Sequence, residues 1–233
     1  MRWMRKGFWV ALLAASTAQA DPENITWGEL ALTHPICYHV QAIPITGWTQ
    51  HMRQSPDSAH WDNKLGGGGM LWAMHHYCWA LIHLLRVQSG NLPPNVRTHL
   101  IGVAVSDFYY VANEARRLAL TNSFRMMPEI LYRIGDGHSR LGQAAQAIAA
   151  FEEARMLKPD YWPPYIGQAL LYEKARLPKR AMEVLEQGLQ IIPGEPNLSA
   201  AYLRLGGKPA SVQPLAQAAP SVSAPAAAAS AAP

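Results

Sequence analysis

Residues 147–159 read AIAAFEEARMLKP, and residues 181–193 read AMEVLEQGLQIIP. The two segments lie 34 residues apart, and Pro159 and Pro193 close them at the same register. Extending that register through residues 128–206 sets Leu131 over Tyr165, Ile134-Gly135 over Gln168-Ala169 and His138 over Tyr172. It also sets Ala147 over Ala181, Phe151 over Leu185 and Ala154 over Gly188. Large positions meet large and small meet small, so each period is one structural unit repeated. Gly142 marks a turn inside the first unit, and Pro128 and Pro178 suit the first turn of a helix, where no N–H is needed.

A 34-residue period with this order of large and small positions resembles the tetratricopeptide repeat. The resemblance covers 128–206. It is specific in the first unit and departs in the second, where Gln168-Ala169 stands for a large-Gly pair and Gly188 for alanine. It implies two antiparallel helices per unit, with Gly135 and Ala147 allowing close approach and Phe151 filling the space between. It also implies an all-α, right-handed stack of helical hairpins with a concave face lined by the first helix of each unit. Carried over position by position, that face is Glu129, Tyr132, Asp136, Ser139 and Arg140 in the first unit, and Ile166, Leu170, Glu173 and Lys174 in the second. These aromatic, charged and apolar side chains suit an extended peptide or a partner helix.

Working outward, EPNLSAAYLRLGG (195–207) predicts a closing helix ended by glycine, covering the open apolar face of the second unit. Upstream, residues 96–120 carry Ile101, Val105, Phe108, Ala112 and Ala115 at helical spacing, with Asn95 as the expected cap. Paired with a helix from residue 70, they form a third hairpin (70–127) that caps the repeats. The segment 21–69 predicts short helices. Thr26-Trp27-Gly28-Glu29 fits a capping box, and Ser55-Pro56-Asp57 fits a cap, a first-turn proline and an acid at a positive helix end. The four glycines 66–69 read as a flexible join; no Lys-Ser or Lys-Thr follows to make a phosphate loop. From 207 to 233 the chain is mostly Ala, Pro, Ser, Val and Gln, a composition expected to be disordered.

The first twenty residues set the expected compartment. Arg2, Arg5 and Lys6 precede GFWVALLAAST, and Ala18-Gln19-Ala20 is a small-x-small cleavage site, so residues 1–20 read as a secretory signal peptide. The formal charge of +4 includes those three cations; without them 17 Lys and Arg face 16 Asp and Glu. That balance, with no basic run, argues against nucleic acid, and no segment after residue 20 is apolar enough to span a bilayer.

Residues 70–84, MLWAMHHYCWALIHL, bring His75, His76, Cys78 and His83 onto one helix, with Trp72, His76, Trp79 and His83 as one stripe. A second cluster, Cys37-Tyr38-His39, lies upstream. Three states compete for the cysteines. An exported chain with two cysteines reads first as a Cys37–Cys78 disulfide. Cys37, His39, His75 and Cys78 could alternatively supply four ligands to zinc or copper, which a disulfide would prevent. Free thiols, or a bond to another protein, are the third. No CxxC, HExxH or CxxCH motif is present, and no catalytic arrangement is legible. The expectation is therefore a non-enzymatic exported scaffold without cofactor or metal, binding a protein or peptide of the cell envelope. The rival is a periplasmic metal- or redox-handling protein built on the Cys/His cluster.

Overall fold

The computed structural model describes residues 25–41 and 56–215. The expected signal peptide, Ser55 and the tail beyond residue 215 lie outside them. The described chain is all-α, without a strand. Its helices are α1 (Trp27–Ala31), α2 (Pro35–Gln41), α3 (Pro56–Leu65), α4 (Met74–Ser89), α5 (Pro94–Arg117), α6 (Met127–Arg140), α7 (Ala144–Leu157), α8 (Pro163–Lys174), α9 (Pro178–Ile191) and α10 (Pro196–Arg204). Six of them open on proline, whose fixed φ and missing N–H fit only the first turn, so the chain writes its helix starts locally. The Thr26–Glu29 capping box forms in both directions.

Helices α4 and α5, α6 and α7, and α8 and α9 pair as consecutive hairpins, and α10 packs on α9. Side chains also join alternate helices. Tyr77 of α4 bonds Glu129 of α6 at 2.9 Å, and Arg204 of α10 bonds Glu173 of α8 at 2.5 and 2.7 Å. On the other side Arg116 of α5 reaches Glu153 of α7 at 2.7 Å, and Arg155 of α7 reaches Gln187 of α9 at 2.6 Å. The helices thus form two rows, α4-α6-α8-α10 and α5-α7-α9.

The join between the two 34-residue units is a wedge. Phe151 is buried between Gly135 of α6 and Gly167 of α8, where an added Cβ would fall 2.5 and 2.6 Å from its ring. Gly137 admits Val105 of α5 as closely. The first core runs from Leu30 to Ala154 around Tyr77, Phe108, Met127 and Ile130. The second gathers Tyr165, Ala169, Leu185, Leu189, Leu198 and Tyr202, so α10 packs its apolar side chains onto α8 and α9.

Four local expectations change. Asn95 is not the cap of α5: the helix begins at Pro94 with Pro93 before it, which puts Asn95 inside the first turn. The opening of residues 70–84 is a 3-10 turn (Met70–Ala73) entered from Gly69 at φ +81°, and this rotates Trp72 out of the core to 42% exposure. The Trp72–His83 stripe is therefore an edge, with His76 and Trp79 half-buried and only His83 buried. The glycines 66–69 form a fitted turn rather than a loose join. All four have positive φ, the Asp62 carboxylate accepts the Gly69 N–H at 3.0 Å, and the Leu65 carbonyl accepts the Arg125 N–H at 2.8 Å. Lastly, the chain stays packed past residue 207. Pro209–Ser211 is a 3-10 turn, and Val212 lies against the second core.

At Gly66 a Cβ would fall 2.0 Å from the Ser123 carbonyl oxygen, whereas at Gly67 nothing lies within 4 Å. Both have positive φ. Gly66→Ala should therefore cost clearly more than Gly67→Ala, which carries only the backbone term of about 1 kcal/mol. Urea midpoints of the two variants check this, and equal midpoints would contradict the fitted turn.

Candidate functional site on the inner row of helices

The row α4-α6-α8-α10 carries every position expected on the concave face, but the structure assigns them different tasks. Glu129 is a brace: one carboxylate oxygen accepts from Tyr77 at 2.9 Å and from Arg133 at 3.2 Å. Tyr77 is buried, and burial first, then Glu129, pushes its phenol well above the ordinary range. Tyr132 lies half in the wedge, 5.9 Å from the Phe151 ring and edge-on to Tyr161 at 6.2 Å. Asp136 pairs with Arg140 one turn on, at 2.8 Å. Glu173 pairs with Arg204, whose hydrogen bonds hold that carboxyl below its usual range. Ser139 is half-buried, and Ile166 packs against the second core. Leu170, 51% exposed, and Lys174 stay at the surface.

At the α4 end the row opens into a cavity of about 260 Å³, walled by His34, Tyr77, Leu81, Leu84, Glu129 and Arg133. His34 comes from the loop before α2. Its Nδ1 accepts the Ile36 N–H at 3.2 Å, so the neutral ring carries its proton on Nε2. Burial, the largest influence, lowers its pKa. His34, Tyr77, Arg133 and Tyr161 were absent from the sequence-derived face. Arg133 was legible in principle, lying one turn after Glu129 on the same helix face. His34 and Tyr77 reach the face only through tertiary packing.

That wall is held by the cysteines. Cys37 of α2 and Cys78 of α4 form a disulfide across 41 residues, with Cα atoms 5.3 Å apart and both side chains fully buried. Arg86 and Glu29 add an ion pair between α4 and α1, with Glu29 pulled down to about 2, mainly by Arg86. With both sulfurs in the bond, neither is a thiolate ligand. Among the described residues no group of three or more His, Cys, Asp or Glu side chains is placed to hold a metal ion.

The adjacent histidines instead build an aromatic edge. His76 Nδ1 lies 2.7 Å from Asp107, which is 2% exposed, and its ring stacks on Tyr110 at 3.8 Å. His75 Nδ1 meets the Trp72 carbonyl at 2.5 Å, and its ring stands edge-on to Trp79 at 4.7 Å. Burial is the main cause that pulls His75 down to about 4. The folded state therefore disfavours the protonated ring, so stability is full above the unfolded value near 6.5 and is lost as pH falls toward 4. The loss attributable to His75 is on the order of 3 kcal/mol. His75→Gln should flatten the stability profile between pH 6.5 and 4. If wild type and variant change in parallel across that window, His75 is not the cause.

Scans against family models, curated proteins and solved structures found no match to this chain.

Proposed function

We propose that this protein is an exported scaffold of the tetratricopeptide type, whose inner row of helices binds an extended segment of a partner protein in a bacterial cell-envelope complex. The observation that carries this reading is the character of that row. Its charges are largely neutralised in pairs (Glu129–Arg133, Asp136–Arg140, Glu173–Arg204), while Leu170 and, on α10, Leu203 remain more than half exposed. Large apolar side chains beside half-buried tyrosines and neutralised charges suit an extended peptide with few charges. The 34-residue register and the two helix rows support the family assignment. The buried disulfide supports an oxidising compartment. Among the described residues no helix is long and apolar enough to cross a membrane.

Two experiments test the reading. A photo-crosslinking residue at position 170 on the inner row should trap a discrete partner in intact cells, and one at position 146 on α7 should not. Equal labelling at both positions, or none at 170, removes the inner row as the binding surface. Separately, osmotic-shock fractionation should release a chain that starts near Asp21. A chain that keeps its first twenty residues in the cytosol would defeat the exported part of the proposal.

A further inference from the structure

On the outer row, between α7, α8 and α9, lies a cleft of about 520 Å³ that the peptide-binding reading does not use. Its polar centre is Arg155. The guanidinium lies over the Tyr165 ring, 4.2 Å from the centroid. It donates to the Gln168 amide oxygen at 2.7 Å and to the Gln187 amide oxygen at 2.6 Å. The supports are themselves fixed. Tyr165 is buried and donates its hydroxyl to the Pro159 carbonyl at 2.9 Å; Gln168 is 2% exposed and donates to Glu152 at 3.3 Å. Glu152 is thus engaged with Gln168, and among the described residues no carboxylate forms an ion pair with Arg155. Its buried Nε–H finds no acceptor among them either. Arg86, Arg116, Arg117, Arg133, Arg140 and Arg204 each have an acidic partner; what sets Arg155 apart is that it is held without one, between two amides and an aromatic ring.

A cation held by neutral amides and an aromatic face, with donors to spare, is ordered before any anion arrives. Around it the cleft is mixed: Val184, Ile191 and Met156, the last 75% exposed, give it an apolar side, while Glu152, Tyr172 and Gln187 also line it. Arg180 and Glu183, both exposed, line the cleft as well, so with Glu152 and Arg155 its lining carries two cations and two carboxylates. We infer that this outer cleft is a second binding site, for a carboxylate carried on an apolar body, with Arg155 as the anchor. A free medium-chain acid and a glutamate flanked by apolar residues on a partner protein share that chemistry.

The test uses the mature chain with its disulfide intact. The Arg155 Nε–H resonance, assigned by its loss in Arg155→Lys, is followed while octanoate is added, with octanamide as the uncharged match. Octanoate should give a saturable shift and octanamide should bind about tenfold more weakly; Arg155→Met, followed through the backbone amides of Gln168 and Gln187, should lose the difference while keeping the wild-type circular dichroism. The blocked peptide Ac-Ala-Leu-Glu-Leu-Ala-amide and its glutamine counterpart form the second arm. Tighter binding of the glutamate peptide than of octanoate assigns the site to a protein partner, and the reverse order assigns it to a free acid. No saturable shift from octanoate or the glutamate peptide, or equal shifts from octanoate and octanamide, overturns the proposal. Loss of cross-linking at position 170 would leave it standing, since that position lies on the inner row.

Discussion

Phe151→Ala should lower the unfolding free energy by ~3–5 kcal/mol, the range for emptying a fully buried aromatic site. The ring is 1% exposed and is held from both sides, by Gly135 of α6 and Gly167 of α8. Its loss leaves a hole between two helices whose backbones cannot close it without shifting. The same geometry predicts a coupling. In the wild type Gly135→Ala places a methyl 2.5 Å from the ring, an overpacking that costs ~1–3 kcal/mol. In the Phe151→Ala background that methyl enters vacated space, so the double variant should be clearly more stable than the sum of the singles. Urea unfolding of the four proteins measures this. Additive effects would mean that Phe151 is not the wedge between the units.

Removing the disulfide with Cys37→Ala and Cys78→Ala should cost about 4 kcal/mol, the chain-entropy value for a closed loop of this length. The loss should not be spread evenly. Without the bond, α1 and α2 keep the buried contacts of Ile36 and Val40 and the Glu29–Arg86 pair. A part-exposed pair of that kind contributes roughly 0–1 kcal/mol and cannot replace the bond. Amides of residues 25–41 should therefore lose protection from hydrogen exchange first, opening the cavity beside His34, while α6 to α9 remain protected. Uniform loss of protection across the stack would show instead that the bond stabilises the whole domain and not this wall.

Signals that arise within a few consecutive residues were legible in the sequence. The capping box at Thr26, the prolines that open helices, the turn at Gly142 with φ +75° and the glycine after α10 all act over one turn of chain. The 34-residue register was legible as well, because it compares the chain with itself. The candidate face was only half legible. The resemblance to the tetratricopeptide repeat pointed to Glu129, Asp136, Arg140 and Glu173 as face positions, but it could not tell a ligand contact from a brace. That difference depends on Tyr77 and Arg204, which are 52 and 31 residues away in sequence. The aligned small positions also drew attention to Ala169, whereas Gly167 is what admits Phe151 from the second unit. The relevant quantity there is the distance between two helices, and no single helix pattern contains it.

By itself the sequence determined an all-α chain, where several of its helices begin, and the pairing of Cys37 with Cys78 as one of three open states. Helix caps, periodicity and composition are local, and local terms act before the chain packs. Only the tertiary structure decided among those states, by burying both cysteines between α2 and α4. It also turned Trp72 outward, set His76 against Asp107, and held Arg155 between amides and an aromatic ring, with no acid paired to it among the described residues. Each of these depends on which side chains meet across helices far apart in sequence, and close packing fixes that only when the whole stack assembles.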